Sequence, residues 1–285
     1  MENQHQIILR KPAWLKIKLP KGENFSKLNQ LVKHHQLNTI CTSGKCPNIG
    51  ECWEAGTATF MILGEVCTRA CKFCAVKTGK PEPVDWQEPE RIAESVNILQ
   101  LKHCVLTSVD RDDLPDGGAQ LWANTIVEIK KQNPHTTIET LIPDFDGRLT
   151  DLEKIFAAAP EIISHNMETV RRLTPLVRSR AKYDRSLEVI KHISNSRLIA
   201  KSGIMVGIGE TAEEVFETMD DLINAGCQIF TIGQYLQPTK ENLAVVEYVS
   251  LEQFAEYKKV GLAKGFRFVE SNPLVRSSYH AEKQI

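Results

Sequence analysis

No stretch of this sequence is apolar over the roughly 18 residues that a membrane-spanning helix needs, so no association with a membrane is expected. Charge of one sign is not in excess either. Lys and Arg number 35 against 36 Asp and Glu, a net charge of −1. That balance excludes the broad basic footprint of a nucleic-acid binder. The first ten residues lack the apolar core of a signal peptide and the Arg/Ser-rich pattern of a transit peptide. Solenoid repeats and low-complexity tracts are missing. The eight histidines show no metal-ligand spacing. The Lys201-Ser-Gly turn lacks the glycine-rich lead-in of a phosphate loop. These absences together point to a soluble, cytoplasmic chain in a reducing compartment.

Cysteine is what the chain does have. There are eight, and six fall between Cys41 and Cys74. A disulfide framework needs a secreted context, which nothing here indicates. Dense cysteines in a reducing compartment point to metal instead. Cys104 and Cys227 sit apart, at strand starts among apolar neighbours, and read as small core residues.

The length of 285 residues suits a single α/β barrel without requiring two domains. Residues 1–57 form an extension that carries Cys41, Cys46 and Cys52. It contains one short amphipathic helix, with Phe25, Leu28, Leu31 and Val32 on one face. From residue 58 the pattern alternates. Short apolar, often β-branched runs at 60–64, 104–109, 137–142, 162–165, 199–206 and 229–233 predict strands. Helices between them are marked by shared faces such as Ile92/Val96/Leu99, Trp122/Ile126/Ile129 and Val215/Met219/Leu222. Capping boxes are expected at Thr150…Glu153, Thr211…Glu214 and Ser250…Gln253. Gly226 and Gly265 fall where a helix end favours a left-handed residue.

Six strand–helix units predict a parallel sheet. Eight would close a barrel. The expected fold is therefore α/β: an open, partial (β/α)6 TIM-like barrel over 58–265, with the site at the C-terminal ends of its strands. A C-terminal tail, 266–285, completes the organisation.

Cys67, Cys71 and Cys74 follow the first strand with C-x3-C-x2-C spacing. Three thiolates on a tight loop can hold three irons of a [4Fe–4S] cube and leave the fourth open to a small molecule. A zinc knuckle and cysteines without a metal are the alternatives, but zinc usually draws on two separated pairs of ligands. The first triplet, Cys41-x4-Cys46-x5-Cys52, is either structural, a contributor to the same metal, or the holder of a second cluster. Six cysteines exceed the four irons of one cube, so two clusters is the economical count.

With aromatic Phe73 before its last cysteine, the second triplet resembles that of the S-adenosylmethionine (SAM) radical superfamily. There, the amino and carboxylate groups of SAM chelate the open iron. An electron from the reduced cluster then splits SAM to methionine and a 5′-deoxyadenosyl radical. The resemblance narrows to the lipoyl synthase family on motifs spread over most of the chain. They are Cys46-Pro-Asn-Ile-Gly-Glu-Cys-Trp53, the run from Thr107 to Gly118, Gly203-Ile-Met-Val-Gly-Ile-Gly-Glu-Thr211, Gly233-Gln-Tyr-Leu-Gln-Pro238 and Arg276-Ser-Ser-Tyr-His280.

That resemblance implies an auxiliary [4Fe–4S] cluster on Cys41, Cys46 and Cys52, with Ser278 as its fourth ligand. A hard alkoxide among soft thiolates is an unusual donor and suits a cluster that is dismantled for its sulfur. The implied SAM contacts are Phe73, Thr107, Ser108, Glu139, Asn166, Lys201 and Met205. The last belongs to the Gly203-x-Met205-x-Gly207-x-x-Glu210 pattern, in which glycine lets the backbone approach a ligand closely. The chain departs from the family at Arg171, where proline is usual, and at Lys240-Glu241-Asn242, where basic or His residues are usual.

The activity implied is that of a monomeric sulfurtransferase. It inserts two sulfur atoms, at C6 and C8, into a protein-bound octanoyl-lysine, with the second triplet's cluster and SAM making the radical. Its partners would be octanoylated lipoyl domains of 2-oxoacid dehydrogenase E2 subunits, the glycine cleavage H protein and a ferredoxin or flavodoxin. Basic residues at Arg10, Lys11, Lys16, Lys18 and Lys21, and at Arg178, Arg180, Lys182 and Arg185, form either a solvated face or a patch that steers an acidic carrier. Two other functions compete: another radical SAM sulfur inserter or dehydrogenase with one auxiliary cluster, and a two-cluster ferredoxin-like electron carrier. The Arg276-Ser-Ser-Tyr279 tail speaks against the first, and three-cysteine sets on a barrel against the second.

Overall fold

A computed structural model of the chain describes residues 10–15, 22–35, 37–54, 57, 59–279 and 281. Lys16, Lys18 and Lys21 of the first basic cluster and His280 of the tail motif lie outside the described residues.

Seven strands form one parallel sheet: β1 (Thr59–Ile62), β2 (His103–Ser108), β3 (Thr137–Leu141), β4 (Ile162–Ser164), β5 (Ile199–Val206), β6 (Ile229–Gln234) and β7 (Phe268–Ser271). They neighbour one another in chain order, and among the described residues β1 and β7 do not pair. The sheet is open, as an incomplete barrel requires. All six expected strands are present. The seventh lies in the stretch expected to be tail, and it pairs with β6 from Ile229↔Phe268 to Ile232↔Ser271. Its four residues, Phe-Val-Glu-Ser, alternate half-buried and buried positions. An edge strand faces solvent on one side, so it shows no continuous apolar run.

Ten α-helices are described: α1 (Glu23–His34), α2 (Ile40–Ser43), α3 (Ile49–Glu54), α4 (Glu88–Ile98), α5 (Ala119–Gln132), α6 (Leu149–Ala158), α7 (Thr174–Val177), α8 (Tyr183–Asn195), α9 (Ala212–Asn224) and α10 (Leu251–Lys264). From α4 onward they cross between successive strands. Their apolar stripes face the sheet: Val215, Met219 and Leu222 of α9 are fully buried. Each such side chain contributes about 1.5–3 kcal/mol by leaving water. α9 opens with the complete Thr211/Glu214 capping box. At α10, Ser250 accepts the backbone N–H of Gln253. The Thr150 box does not form, because α6 begins at Leu149, two residues earlier than a Thr150 cap requires, and has Arg148 as its N-cap. Gly265 takes the left-handed conformation that ends α10.

The extension packs on the β1 edge of the sheet. Thr39 and Phe60 form an antiparallel bridge, and Met61 N donates to Asn38 O at 2.8 Å. Leu28 and Trp53 enter the main core, with the Phe25 and Trp53 rings 5.3 Å apart. This contact sets the first triplet beside the barrel rather than leaving it on a free arm.

Candidate active site: two cysteine triplets and the segment between them

The second triplet lies beyond the C-terminal end of β1. Cys67 closes a two-residue strand, Val66–Cys67, that pairs with Lys77–Thr78. The loop between them carries Cys71 and Cys74. Backbone N–H groups point at its sulfurs: Arg69 N and Asp110 N lie 3.4 and 3.3 Å from Cys67 Sγ, and Val76 N lies 3.4 Å from Cys74 Sγ. Cys71 Sγ is 3.6 Å from Ser179 Oγ. Asn242 closes the loop from the far side, donating to the carbonyls of Lys72 and Cys74 at 3.1 and 2.9 Å. One of the chain's departures from the family pattern therefore holds this loop directly.

Burial, reinforced by the charge of Asp110, pushes the Cys67 thiol up to about 12. Burial also pushes Cys74 up to about 11, with Cys71 and Glu168 adding to it. Iron must displace these protons, so loading releases them. Among the described residues, no three His, Cys, Asp or Glu side chains form a site for a single metal ion. A cube presents a separate iron to each thiolate, so its ligands need not converge on one point. Inward-pointing N–H groups that stabilise bound sulfur fit a cluster on this loop.

Around the loop lies a buried charge network that the sequence did not mark. Arg69 pairs with Asp110 at 3.2 Å, with Asp112 at 2.9 and 2.8 Å, and with Asp144 at 2.7 Å. Burial alone would raise the Asp144 carboxyl, but Arg69 outweighs it and holds the group at about 2. His165 Nδ1 donates to Ile142 O at 2.9 Å, which leaves Nε2 to accept from Ser186 Oγ at 2.9 Å. Burial and the nearby Arg178 lower this imidazole to about 4, so it is neutral. Arg178 is itself buried and donates to Ser186 Oγ at 2.8 Å. It does not belong to an exposed basic face. Arg180 and Arg185 each reach Asp146 at 2.6 Å, so this cluster of basic residues is largely neutralised.

The first triplet lines a small pocket together with Ser278, Arg276 and Tyr279. Ser278 thus stands with Cys41, Cys46 and Cys52 although more than 220 residues separate them in the sequence. Several contacts hold the tail there. Asn48 Nδ2 donates to Leu274 O at 2.6 Å, and the Tyr279 hydroxyl to Glu51 Oε1 at 3.2 Å. Gly233, in β6, sits against the tail backbone. A Cβ there would lie 2.1 Å from Val275 O. Arg276 lines the pocket with the triplet. Burial raises the Cys46 thiol, and the Arg276 charge partly offsets that. Burial and the neighbouring Cys46 raise Cys41. Three sulfurs and one hydroxyl around a cavity are a donor set that fits a second cluster.

The expected SAM contacts fall into two groups. Ser108 ends β2, and Asn166 follows β4 by two residues. Ser108 Oγ and Asn166 Oδ1 are buried without a hydrogen-bond partner among the described residues. Such atoms cost free energy unless a ligand meets them, which fits a polar ligand at the strand ends. Phe73 and Met205 are half-buried against the core nearby. Thr107 Oγ1 donates to Leu141 O at 3.2 Å. Glu139 and Lys201 lie elsewhere than at strand ends. Both sit inside their strands, fully buried, with Lys201 Nζ 2.7 and 2.9 Å from the Glu139 carboxylate oxygens. Each strand continues past its charge, to Leu141 after Glu139 and to Val206 after Lys201. Glu210 of the glycine pattern folds back and accepts the N–H groups of Gly207 and Ile208, fixing that turn.

Glu168 and Gly233 are further residues of the site. Glu168 is a non-glycine residue at φ 65°. It is held there by Glu168 N to Gly203 O at 3.0 Å and Met205 N to Glu168 O at 2.9 Å. Gly233 opens one of the sequence motifs, but the role of each residue depends on neighbours distant in the chain.

Comparison with known proteins agrees with this geometry. Residues 61–222 match the model of the radical SAM superfamily, and residues 1–46 that of the N-terminal domain of lipoyl synthase. The lipoyl synthase of Parabacteroides distasonis is 61% identical over 277 residues, covering 97% of this chain and 99% of the relative. The mitochondrial lipoyl synthase of Nematostella vectensis is 58% identical over 276 residues, covering 96% and 95%. In fold, the chain resembles Streptococcus suis SuiB bound to S-adenosylmethionine, with TM-score 0.59, 14% identity, and 89% of this chain and 58% of that one covered. It also resembles HydG, a maturase of the [FeFe]-hydrogenase, with TM-score 0.56, 13% identity, and 92% and 65% covered. The chain belongs to the lipoyl synthase family of the radical SAM superfamily, and so uses SAM and a [4Fe–4S] cluster.

Proposed function

We propose that the chain inserts sulfur at C6 and C8 of an octanoyl-lysine carried on a lipoyl domain or glycine cleavage H protein, in the cytoplasm. The sulfur comes from a [4Fe–4S] cluster held by Cys41, Cys46, Cys52 and Ser278, which is a substrate of the reaction. Neither C6 nor C8 is activated, so no side-chain base removes its hydrogen at neutral pH. When bound at Cys67, Cys71 and Cys74, the resident cluster with SAM supplies a radical strong enough for that step.

The protein's own residues provide the setting. The N–H groups of Arg69, Asp110 and Val76 stabilise sulfur in the second triplet. Buried Arg178 places positive charge near Cys71. Ser108 and Asn166 offer a polar edge for SAM. Arg276 offsets negative charge at the first triplet, and Asn48, Glu51 and Gly233 seat the tail that brings Ser278. A ferredoxin or flavodoxin serves as reductant, and the enzyme acts as a monomer.

The single observation that carries this reading is the cavity shared by Cys41, Cys46, Cys52 and Ser278. The test is mass spectrometry of an octanoylated carrier peptide after turnover with enzyme reconstituted with heavy-isotope sulfide. One SAM equivalent should give a mono-thiolated peptide and two equivalents the dithiol, each carrying the heavy isotope from the protein. Product sulfur of natural abundance would rule out the cluster as donor.

A further inference from the structure

A series of contacts centred on Asn166 runs between the neighbourhoods of the two cysteine triplets. Asn166 Nδ2 donates to Ser277 Oγ at 2.7 Å. Ser277 adjoins Ser278, which lines the first triplet's cavity. The Asn166 side chain also hydrogen-bonds the Glu168 carboxylate, and Glu168 is close enough to Cys74 for its charge to act on that thiol. Asn166 therefore bonds the tail directly, 111 positions away in the sequence, and adjoins the second triplet through Glu168.

Its position is well fixed on one side and open on the other. A Cβ at Gly203 would come 3.1 Å from Asn166 Oδ1 and 2.5 Å from Thr231 Oγ1, so glycine there leaves the amide its space. Oδ1 itself is buried and has no hydrogen-bond partner among the described residues. An amide with one satisfied end is held loosely. A donor supplied to Oδ1 would fix its plane and strengthen the bond made by Nδ2, because hydrogen bonds in series polarise one another.

We propose that Asn166 is a positioning residue that couples ligand binding at the second triplet to the grip of the tail on the first, by holding Ser277 and so Ser278 in place. The inference rests on the proposed function, since it takes Ser278 as a ligand of the auxiliary cluster and SAM as the ligand that reaches Oδ1. With SAM bound, the tail is held firmly and the auxiliary cluster is protected. Without SAM, the tail is looser and the cluster loses iron faster. The enzyme would then hold its sulfur donor most firmly once the radical-generating half is loaded.

The experiment measures the rate at which a ferrous chelator strips iron from the anaerobically reconstituted protein, with and without SAM. The contribution of the first triplet is identified by comparison with a Cys41→Ala/Cys46→Ala/Cys52→Ala protein. In the unsubstituted protein, SAM should slow iron loss from the first triplet at least threefold. Asn166→Ala and Ser277→Ala should each speed that loss about tenfold, the size of one hydrogen bond, and abolish its response to SAM. Ser277→Thr keeps the hydroxyl and should restore both the rate and the response.

Alanine variants that lose iron at the unsubstituted rate, or still respond to SAM, would overturn the coupling. So would a Ser277→Thr protein that behaves like Ser277→Ala. If Asn166→Ala fails to load iron, the Ser277 pair decides the matter alone. An unsubstituted protein with no iron on the first triplet would overturn the functional reading itself, and this inference with it.

Discussion

Gly233→Ala tests whether the tail is placed by backbone contact. A Cβ at this position would meet Val275 O at 2.1 Å and its carbonyl carbon at 3.1 Å. Real Cβ contacts essentially never fall below 3.0 Å, so the tail must retreat by about 0.9 Å or more. No side-chain rotation relieves the clash, because the obstacle is main chain. Forcing one methyl into a packed site costs about 1–3 kcal/mol. Ser278 lies three residues beyond Val275, on the segment that must move. The expected result is a protein that folds and cleaves SAM, but whose first-triplet cluster loses iron to chelator about tenfold faster, and whose sulfur insertion falls in proportion.

Gly265→Ala is the control. Its φ of 111° strains any side chain, yet nothing lies within 4 Å of the added Cβ. It should destabilise the fold by about 1–2 kcal/mol and leave the cluster alone. Gly233→Ala protein with unchanged iron retention would refute the seating argument.

Other outcomes follow from the same geometry. Cys71→Ala should abolish SAM cleavage yet retain the first cluster, whereas Cys46→Ala should spare SAM cleavage and lose sulfur insertion; iron content and 5′-deoxyadenosine release separate the two. Lys201→Met leaves the fully buried Glu139 unpaired and should cost about 3–5 kcal/mol in urea unfolding, most of it recovered by adding Glu139→Gln. Burial pushes the carboxyl of Glu88 up from 4.5 to about 7. Between those values the folded state keeps a proton the unfolded state has lost, so this group lowers stability as pH rises from 4.5 through 7. Glu88→Gln should therefore raise the unfolding free energy at pH 8 by about 3 kcal/mol and change it little at pH 4; equal effects at both would count against the assignment.

Local pattern announced much of the molecule. Period-two and buried apolar runs marked six strands, and helix faces such as Val215/Met219/Leu222 marked the crossovers between them. Spacing alone distinguished the cysteine triplets from Cys104 and Cys227, which are indeed buried in the core. β7 escaped because Phe268–Ser271 is short and alternating at an edge. Glu139 and Lys201 fall inside the expected strands 137–142 and 199–206, but as lone charges they read as ligand contacts. Each instead continues its strand because the other neutralises it across the sheet. The Arg69–Asp112–Asp144 network and the Asn166–Ser277 bond were not visible because their members are between 32 and 111 residues apart. A sequence shows residue types at a spacing, whereas such bonds depend on which strand ends the sheet brings together.

The central claim is that the two triplets hold separate clusters and that Ser278 belongs to only one. Iron and sulfide counting on anaerobically reconstituted protein tests it most directly. The chain should carry about eight irons, and replacing either triplet by alanine should leave about four. Mössbauer spectra of the protein lacking Cys67, Cys71 and Cys74 should change on Ser278→Ala, and those of the protein lacking Cys41, Cys46 and Cys52 should not. Four irons in the unsubstituted chain, or a Ser278→Ala change confined to the second triplet's cluster, would contradict the account.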